Sequence, residues 1–213
     1  MSRGALVSLE GGEGAGKSSA LASLRERIEA RGLGVIATRE PGGTPLGEAL
    51  RALVLDKAQR GLCAESELLL MFASRAQLVR EIVEPALAAG TWVVTDRFTD
   101  ASYAYQGAGR GQPAARIAEL ERWAANGLVP DLTLLLDVPV ALGLARAHGR
   151  GEVDRFEQEQ ASFFERVRSA YRERAAVEPR RIRVIDASRD IEAVRADVVA
   201  AIDAFVDLRA GGS

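Results

Sequence analysis

One run of eight residues carries the clearest chemistry in the chain. Gly11-Gly12-Glu13-Gly14-Ala15-Gly16-Lys17-Ser18 has the spacing G-x-x-x-x-G-K-[ST]. Glycines admit the backbone conformations in which successive N–H groups turn inward on phosphate oxygens. Lys17 would bring its ammonium to the β- and γ-phosphates of a nucleotide, and Ser18 would offer its hydroxyl to Mg²⁺. With Ser19, these residues form the expected ATP-phosphate site. Of the 28 basic residues only Lys17 and Lys57 are lysines. A chain that otherwise uses arginine has placed a compact ammonium here.

A second set of residues suits an anionic co-substrate. Arg39 and Arg97 each follow an apolar, strand-like run, where cations could hold a phosphate in line with the γ-phosphate. Asp96, directly before Arg97, could hold Mg²⁺ through water. A guanine-reading Asn-Lys-x-Asp is absent, because Lys57 is preceded by Asp56. That argues against a regulatory GTPase, and the short chain argues against a motor or transporter ATPase. A small kinase with a second anionic substrate remains.

The elements that must position these groups alternate in type. Strands are expected at Ala5–Leu9, Gly34–Thr38, Trp92–Asp96, Leu132–Asp137 and Ile182–Asp186. Amphipathic stretches such as Lys17–Arg31 and Ile191–Leu208 follow, with apolar residues at three- and four-residue steps. This is the pattern of a parallel sheet flanked by helices, an α/β fold of three layers. In such sheets ligands bind beyond the carboxyl ends of the strands. Glu10, Arg39, Asp96, Arg97 and Asp137 all fall on that rim. No linker or repeat divides the chain, so residues 1–213 are expected to form one domain, with 209–213 as a loose tail.

Composition narrows the class further. The 213 residues are 47% hydrophobic and 27% charged, enough apolar material for a core and no bias to disorder. Basic and acidic residues number 28 and 30, a net charge of −2, which argues against a broad nucleic-acid-binding face. The longest charge-free run, Pro85–Thr95, is 11 residues, short of the roughly 20 a membrane helix needs. Met1-Ser2-Arg3 leads straight into a strand rather than a secretory leader. The single Cys63 has no partner for a disulfide or metal site. A reducing cytoplasm is the expected location.

Four further motifs stand in order along the chain. They are Thr38-Arg39-Glu40-Pro41-Gly42-Gly43-Thr44, Asp96-Arg97-Phe98, Ala104-Tyr105-Gln106-Gly107 and Asp154-Arg155-Phe156-Glu157. Together with the glycine loop they resemble the bacterial thymidylate kinases, from about Leu6 to Leu208. The resemblance implies a P-loop kinase fold with a five-stranded parallel sheet and a short lid. It also implies Mg²⁺-dependent transfer of the ATP γ-phosphoryl group to dTMP, and a homodimer.

The resemblance implies individual roles as well. Glu13 would receive the deoxyribose 3′-hydroxyl, and Tyr105 would pack on the sugar 2′ carbon and leave no room for a hydroxyl. Arg39 and Arg97 would hold the acceptor phosphate. Ser102 and Gln106 would make polar contacts to the base. On the long helix expected over Ala64–Val83, Phe72 would stack on thymine and Arg75 would donate to its carbonyl. Many relatives space these two residues by four, which would select Met71 instead; the expectation is placed on Phe72. The lid, about 146–157, holds Arg146, His148, Arg150 and Arg155. Position 14 is glycine, so this chain resembles relatives whose catalytic arginine lies in the lid, here Arg150 or Arg155. His148 is expected to be an exposed loop residue. No general base is needed, because the acceptor is already a phosphate dianion. Two alternatives stay open: a kinase for another nucleoside monophosphate or a deoxynucleoside, and a regulatory protein that binds ATP without transferring phosphate.

Overall fold

The computed structural model describes residues 3–59, 61–149, 155–156 and 159–211. Strand β1 (Leu6–Glu10) leads through the glycine loop into α1 (Lys17–Ala30), and β2 (Val35–Arg39) is followed by α2 (Pro45–Leu55). Helix α3 (Ala64–Leu78) continues through a π-helical turn (Val79–Val83) into α4 (Glu84–Ala88). Strand β3 (Trp92–Asp96) feeds the short α5 (Thr99–Ser102), a π-helical turn (Tyr103–Gly109) and α6 (Ala114–Ala124). Then come β4 (Leu132–Asp137), α7 (Val140–His148), α8 (Ala161–Val177), β5 (Ile182–Asp186) and α9 (Ile191–Gly211).

The five strands form one sheet in the order β2-β3-β1-β4-β5, parallel throughout. β1 lies at its centre, with Leu9 opposite Asp96 of β3 on one side and Leu134 of β4 on the other. Central parallel strands are covered on both faces, which is why β1 and β4 read as near-continuous apolar runs. Alternate residues serve opposite layers. Val7, Leu9, Val94 and Leu134 pack on Leu24 and Ile28 of α1 and on Val198 and Ile202 of α9. Leu6 and Val93 face Leu78, Val79 and Val83. Leu135 and Ile182 face Val167 and Tyr171 of α8. Each such fully buried aliphatic side chain contributes roughly 1.5–3 kcal/mol.

β2 is shifted by one residue and α1 ends one residue earlier than expected, and three further differences bear on the site or its packing. β1 runs one residue further, so Glu10 is its last residue, buried and paired in register with Leu135. The long helix expected over Ala64–Val83 becomes α helix and then π turn at Val79. The tail expected from residue 209 is helical to Gly211. Arg209 holds it, donating to Asp131 (3.3 Å) and the Arg3 carbonyl (3.0 Å) and lying beside the Trp92 and Phe205 rings.

Candidate active site

β1 delivers the glycine loop to the middle of the sheet, at the point where successive connections leave in opposite directions. There the strand ends open into a crevice. Two glycines fix how closely the loop lies on α7. A Cβ on Gly14, whose φ is +68°, would sit 1.9 Å from the Gly143 carbonyl oxygen, and one on Gly143 would sit 2.4 Å from the Glu13 carbonyl. Neither position has room for a side chain. Lys17 starts α1, and its ammonium donates to the carbonyls of Gly11 (3.2 Å) and Gly12 (3.0 Å). Burial, and then the Arg97 charge, lowers its pKa.

Beside the loop lies a cleft of about 300 Å³ lined by residues from most of the predicted motifs, Glu13, Lys17, Ser18, Arg39, Asp96, Arg97, Tyr105 and Gln106 among them. Arg97 is its centre. The residue has φ +72°, a left-handed conformation that costs energy for any side chain but glycine and persists only where surroundings impose it. Its N–H donates to the Leu9 carbonyl (2.9 Å), and its own carbonyl accepts from Thr95 Oγ1 (2.8 Å). The guanidinium donates to the Gly11 carbonyl (3.1 Å), to Glu13 (2.9 Å) and to the Tyr171 hydroxyl (3.3 Å). Tyr105 donates to the same Glu13 oxygen (2.8 Å), and Arg97 lies 4.5 Å above its ring. Burial opposes the Arg97 charge, yet Tyr105, Glu13, Tyr171 and Asp96 together hold its pKa well above the ordinary value.

Below Arg97 is a buried carboxyl that the sequence reading left without a role. Glu10 accepts from the Phe98 N–H (2.8 Å) and the Tyr171 hydroxyl (2.7 Å). Burial, reinforced by the nearby Asp100 charge, pushes its pKa up to about 8.

Three guanidinium groups surround the cleft rather than two. Arg39 is half exposed and paired with Glu48 (2.8 Å). Arg51 of α2 lines the cleft and donates to the Pro41 carbonyl (3.0 Å); burial, then the Arg39 charge, lowers its pKa. Sequence reasoning missed Arg51, which carries no motif. Its position follows from Thr44, whose hydroxyl caps α2 by accepting from the Gly47 N–H (3.0 Å) and so aims the helix.

At the far end the structure redistributes the expected base-binding residues. Arg75 is fully buried, with Nε on Glu40 (2.7 Å), Nη1 on Ser102 (3.0 Å) and Nη2 on the Phe98 carbonyl (3.0 Å). Neither Arg75 nor Ser102 lines the cleft; they brace its wall. Phe72 does not line it either. It packs with Leu68, Ile117 and Ala124 and lies 4.5 Å from the Arg75 guanidinium, while Met71 lines the cleft. Met71 precedes Arg75 by four, the spacing that puts two side chains on one helix stripe. Leu68 likewise precedes Phe72 by four, on the neighbouring stripe. Gln106 does line the cleft, completely buried, with Nε2 on Glu67 (3.0 Å).

Of the lid, Arg150, Asp154, Glu157 and the side chain of His148 lie outside the described residues. Arg155 is turned away from the cleft, where Phe156 lines the wall instead. Its Nε donates to the Val54 carbonyl (2.8 Å) and its Nη2 to the buried Glu67 (2.6 Å). Arg146, on α7, donates to the carbonyls of Ala187 (2.7 Å) and Ser188 (3.2 Å) after β5. It thereby closes one side of a second hollow, about 650 Å³, on the opposite flank of the glycine loop. Gly14, Gly16, Ser19, Arg189 and Arg195 also line this hollow. Sequence reasoning did not separate it from the lid.

A glycine loop at the end of the central strand, a charged cleft on one flank and an open hollow on the other define a P-loop kinase of small nucleotides. The comparisons with known proteins then specify which kind. The chain belongs to the thymidylate kinase family, whose model matches residues 9–198. It is 51% identical to a thymidylate kinase of Ectopseudomonas mendocina over 96% of this chain and 97% of that one. It is 56% identical to a thymidylate kinase of Alkalilimnicola ehrlichii (91% and 90%) and 53% to that of Methylococcus capsulatus (97% and 98%).

Proposed function

We propose that this protein transfers the γ-phosphoryl group of ATP to dTMP, giving dTDP and ADP. Membership of the thymidylate kinase family supports the reaction. The observation that carries the site assignment is the Glu13–Tyr105–Arg97 cluster beside Lys17. Glu13 accepts the sugar 3′-hydroxyl. Tyr105, held by Glu13 below the Arg97 guanidinium, occupies the space a ribose 2′-hydroxyl would need. Arg39, Arg51 and Arg97 bind the acceptor phosphate, Met71 packs on the base, and Gln106 bonds to it. ATP lays its phosphates on Gly11–Ser19 and its base in the hollow closed by Arg146.

The metal position is tested by its donor set. Asp96 lines the cleft with a buried Oδ1 that has no hydrogen-bond partner, and Ser18 lines the same cleft. Two hard oxygen donors there fit Mg²⁺, which would neutralise charge on the nucleotide phosphates. Among the described residues no group of three or more acidic, histidine or cysteine side chains gathers as a metal cage.

The chain's own work is positioning and charge. Lys17 reaches the β- and γ-phosphates, and Arg97 stands between both nucleotides. No residue needs to remove a proton, because the attacking phosphate oxygen is already ionised. Arg150 supplies the lid cation in this reading, and Arg155 anchors the lid's foot through Glu67. The protein acts in the cytoplasm as a homodimer; the exposed apolar Leu69 and Trp123, 56% and 77% accessible on α3 and α6, support the dimer. Among the described residues no helix is long and apolar enough to cross a membrane.

The test is ADP release from ATP-Mg²⁺ with dTMP, dUMP, UMP, dCMP, AMP and GMP. Rapid turnover with dTMP, less with dUMP and almost none with UMP is expected. Tyr105→Ala should raise UMP turnover relative to dTMP by roughly tenfold or more. ATP binding without turnover on any acceptor would overturn the assignment.

A further inference from the structure

Glu67 of α3 sits beneath the base end of the cleft with 1% of its surface exposed. Its carboxylate accepts from Gln106 Nε2 (3.0 Å), from Arg110 Nε (3.2 and 3.3 Å) and from Arg155 Nη2 (2.6 Å). A carboxylate has only acceptors to offer. The end of Gln106 that meets it must therefore be the –NH₂, although shape alone would not tell that end from the oxygen. Gln106 Oε1 is thereby turned the other way. It is buried, has no hydrogen-bond partner, and belongs to a residue that lines the cleft.

We propose that Glu67 is a positioning residue for base selection: it locks the Gln106 amide with its oxygen toward the cleft, so that the site takes a pyrimidine bearing N3–H. Thymine and uracil present that proton. Cytosine presents an N3 lone pair, which would face the Gln106 lone pairs. The inference rests on the dTMP-kinase reading of the cleft. Arg110 and Arg155 hold Glu67 itself. Arg110 comes from the end of the π turn that carries Gln106 and also reaches Glu159 (2.5 Å), while Arg155 comes from the foot of the lid.

The test is Glu67→Gln, which keeps the shape and changes one acceptor to a donor. The arginines claim the remaining oxygen, the new –NH₂ faces Gln106, and Gln106 must rotate and turn its own –NH₂ to the cleft. The ratio of kcat/KM for dTMP to that for dCMP is expected to fall roughly 10–100-fold, mainly through KM for dTMP. Glu67→Asp, still acceptor-only, should keep the preference. A folded Glu67→Gln enzyme with an unchanged ratio would overturn the proposal and leave Glu67 as a counter-ion, a role that moves thermal stability and not the ratio. Wild-type enzyme is run alongside; lack of any dTMP preference there sinks the reading of the cleft instead. Should the variant not fold, the labelled wild-type complex decides. A coupling across the hydrogen bond from dTMP N3 to Gln106 Cδ is expected, and its absence counts against the proposal.

Discussion

The two flanks of the glycine loop recognise nucleotides by different means. On the acceptor flank the walls are side chains locked to one another: Arg75 to Glu40 and Ser102, Tyr105 and Arg97 to Glu13, and Gln106 to Glu67. On the donor flank the glycine loop offers main chain, with the polar side chains of Ser19, Glu26, Arg189 and Arg195 lining the hollow beside it. Four of the loop's eight residues are glycine, and Arg146 binds the carbonyls of Ala187 and Ser188. The acceptor cleft is also the smaller, about 300 Å³ against about 650 Å³. Buried side-chain networks discriminate, because a wrong ligand leaves their polar groups unpaired. Backbone amides recognise phosphate, which every nucleoside triphosphate carries. On the proposed assignment of the two flanks, stringency for dTMP and tolerance for the donor base are the expected outcome of that division.

The sharpest way to separate the flanks is Lys17→Ala. Losing the loop's cation should lower kcat/KM on the order of 10³-fold. Titration calorimetry should find dTMP affinity nearly unchanged. Lys17 also lines the acceptor cleft, so a parallel loss of dTMP binding would show that it serves both nucleotides and would break the division.

A smaller effect distinguishes wall from contact on α3. Phe72→Ala removes a core ring and should cost roughly 3–5 kcal/mol in denaturant unfolding, with KM for dTMP little changed. Met71→Ala should raise that KM about tenfold, the order expected for one apolar pocket contact. The opposite assignment of stability and KM would restore Phe72 as the base-stacking residue.

A pH-dependent effect lies on the seam between the flanks. Glu10 is buried below Arg97 with its pKa pushed up to about 8. The folded state therefore holds a proton that the unfolded state, with an ordinary carboxyl, has released. Stability must fall as pH rises from about 4.5 toward about 8, by up to about 1.4 kcal/mol per pH unit from this group. Glu10→Gln should flatten that slope in urea unfolding at pH 5, 6, 7 and 8. An identical slope in the variant would mean that Glu10 is ionised below Arg97.

Much of this was legible in the residues. The glycine loop, the five strands and the strand-end positions of Arg39, Asp96 and Arg97 follow from local rules. Glycine permits the loop's conformations, apolar runs mark buried parallel strands, and ligands gather where such strands end. These depend on neighbours in sequence, so the sequence carries them by itself. What the sequence left open was decided by helical phase and by contacts between distant segments. Each residue on a helix turns the next by about 100°, so a one-residue difference moved Phe72 to the core and Met71 to the cleft. Arg51 joined the site because a cap at Thr44 aims α2. Arg155 left the cleft for a carboxylate 88 residues earlier in the chain. Glu67, with no motif to mark it, gained its place only when α3, the π turn and the foot of the lid closed around one buried charge.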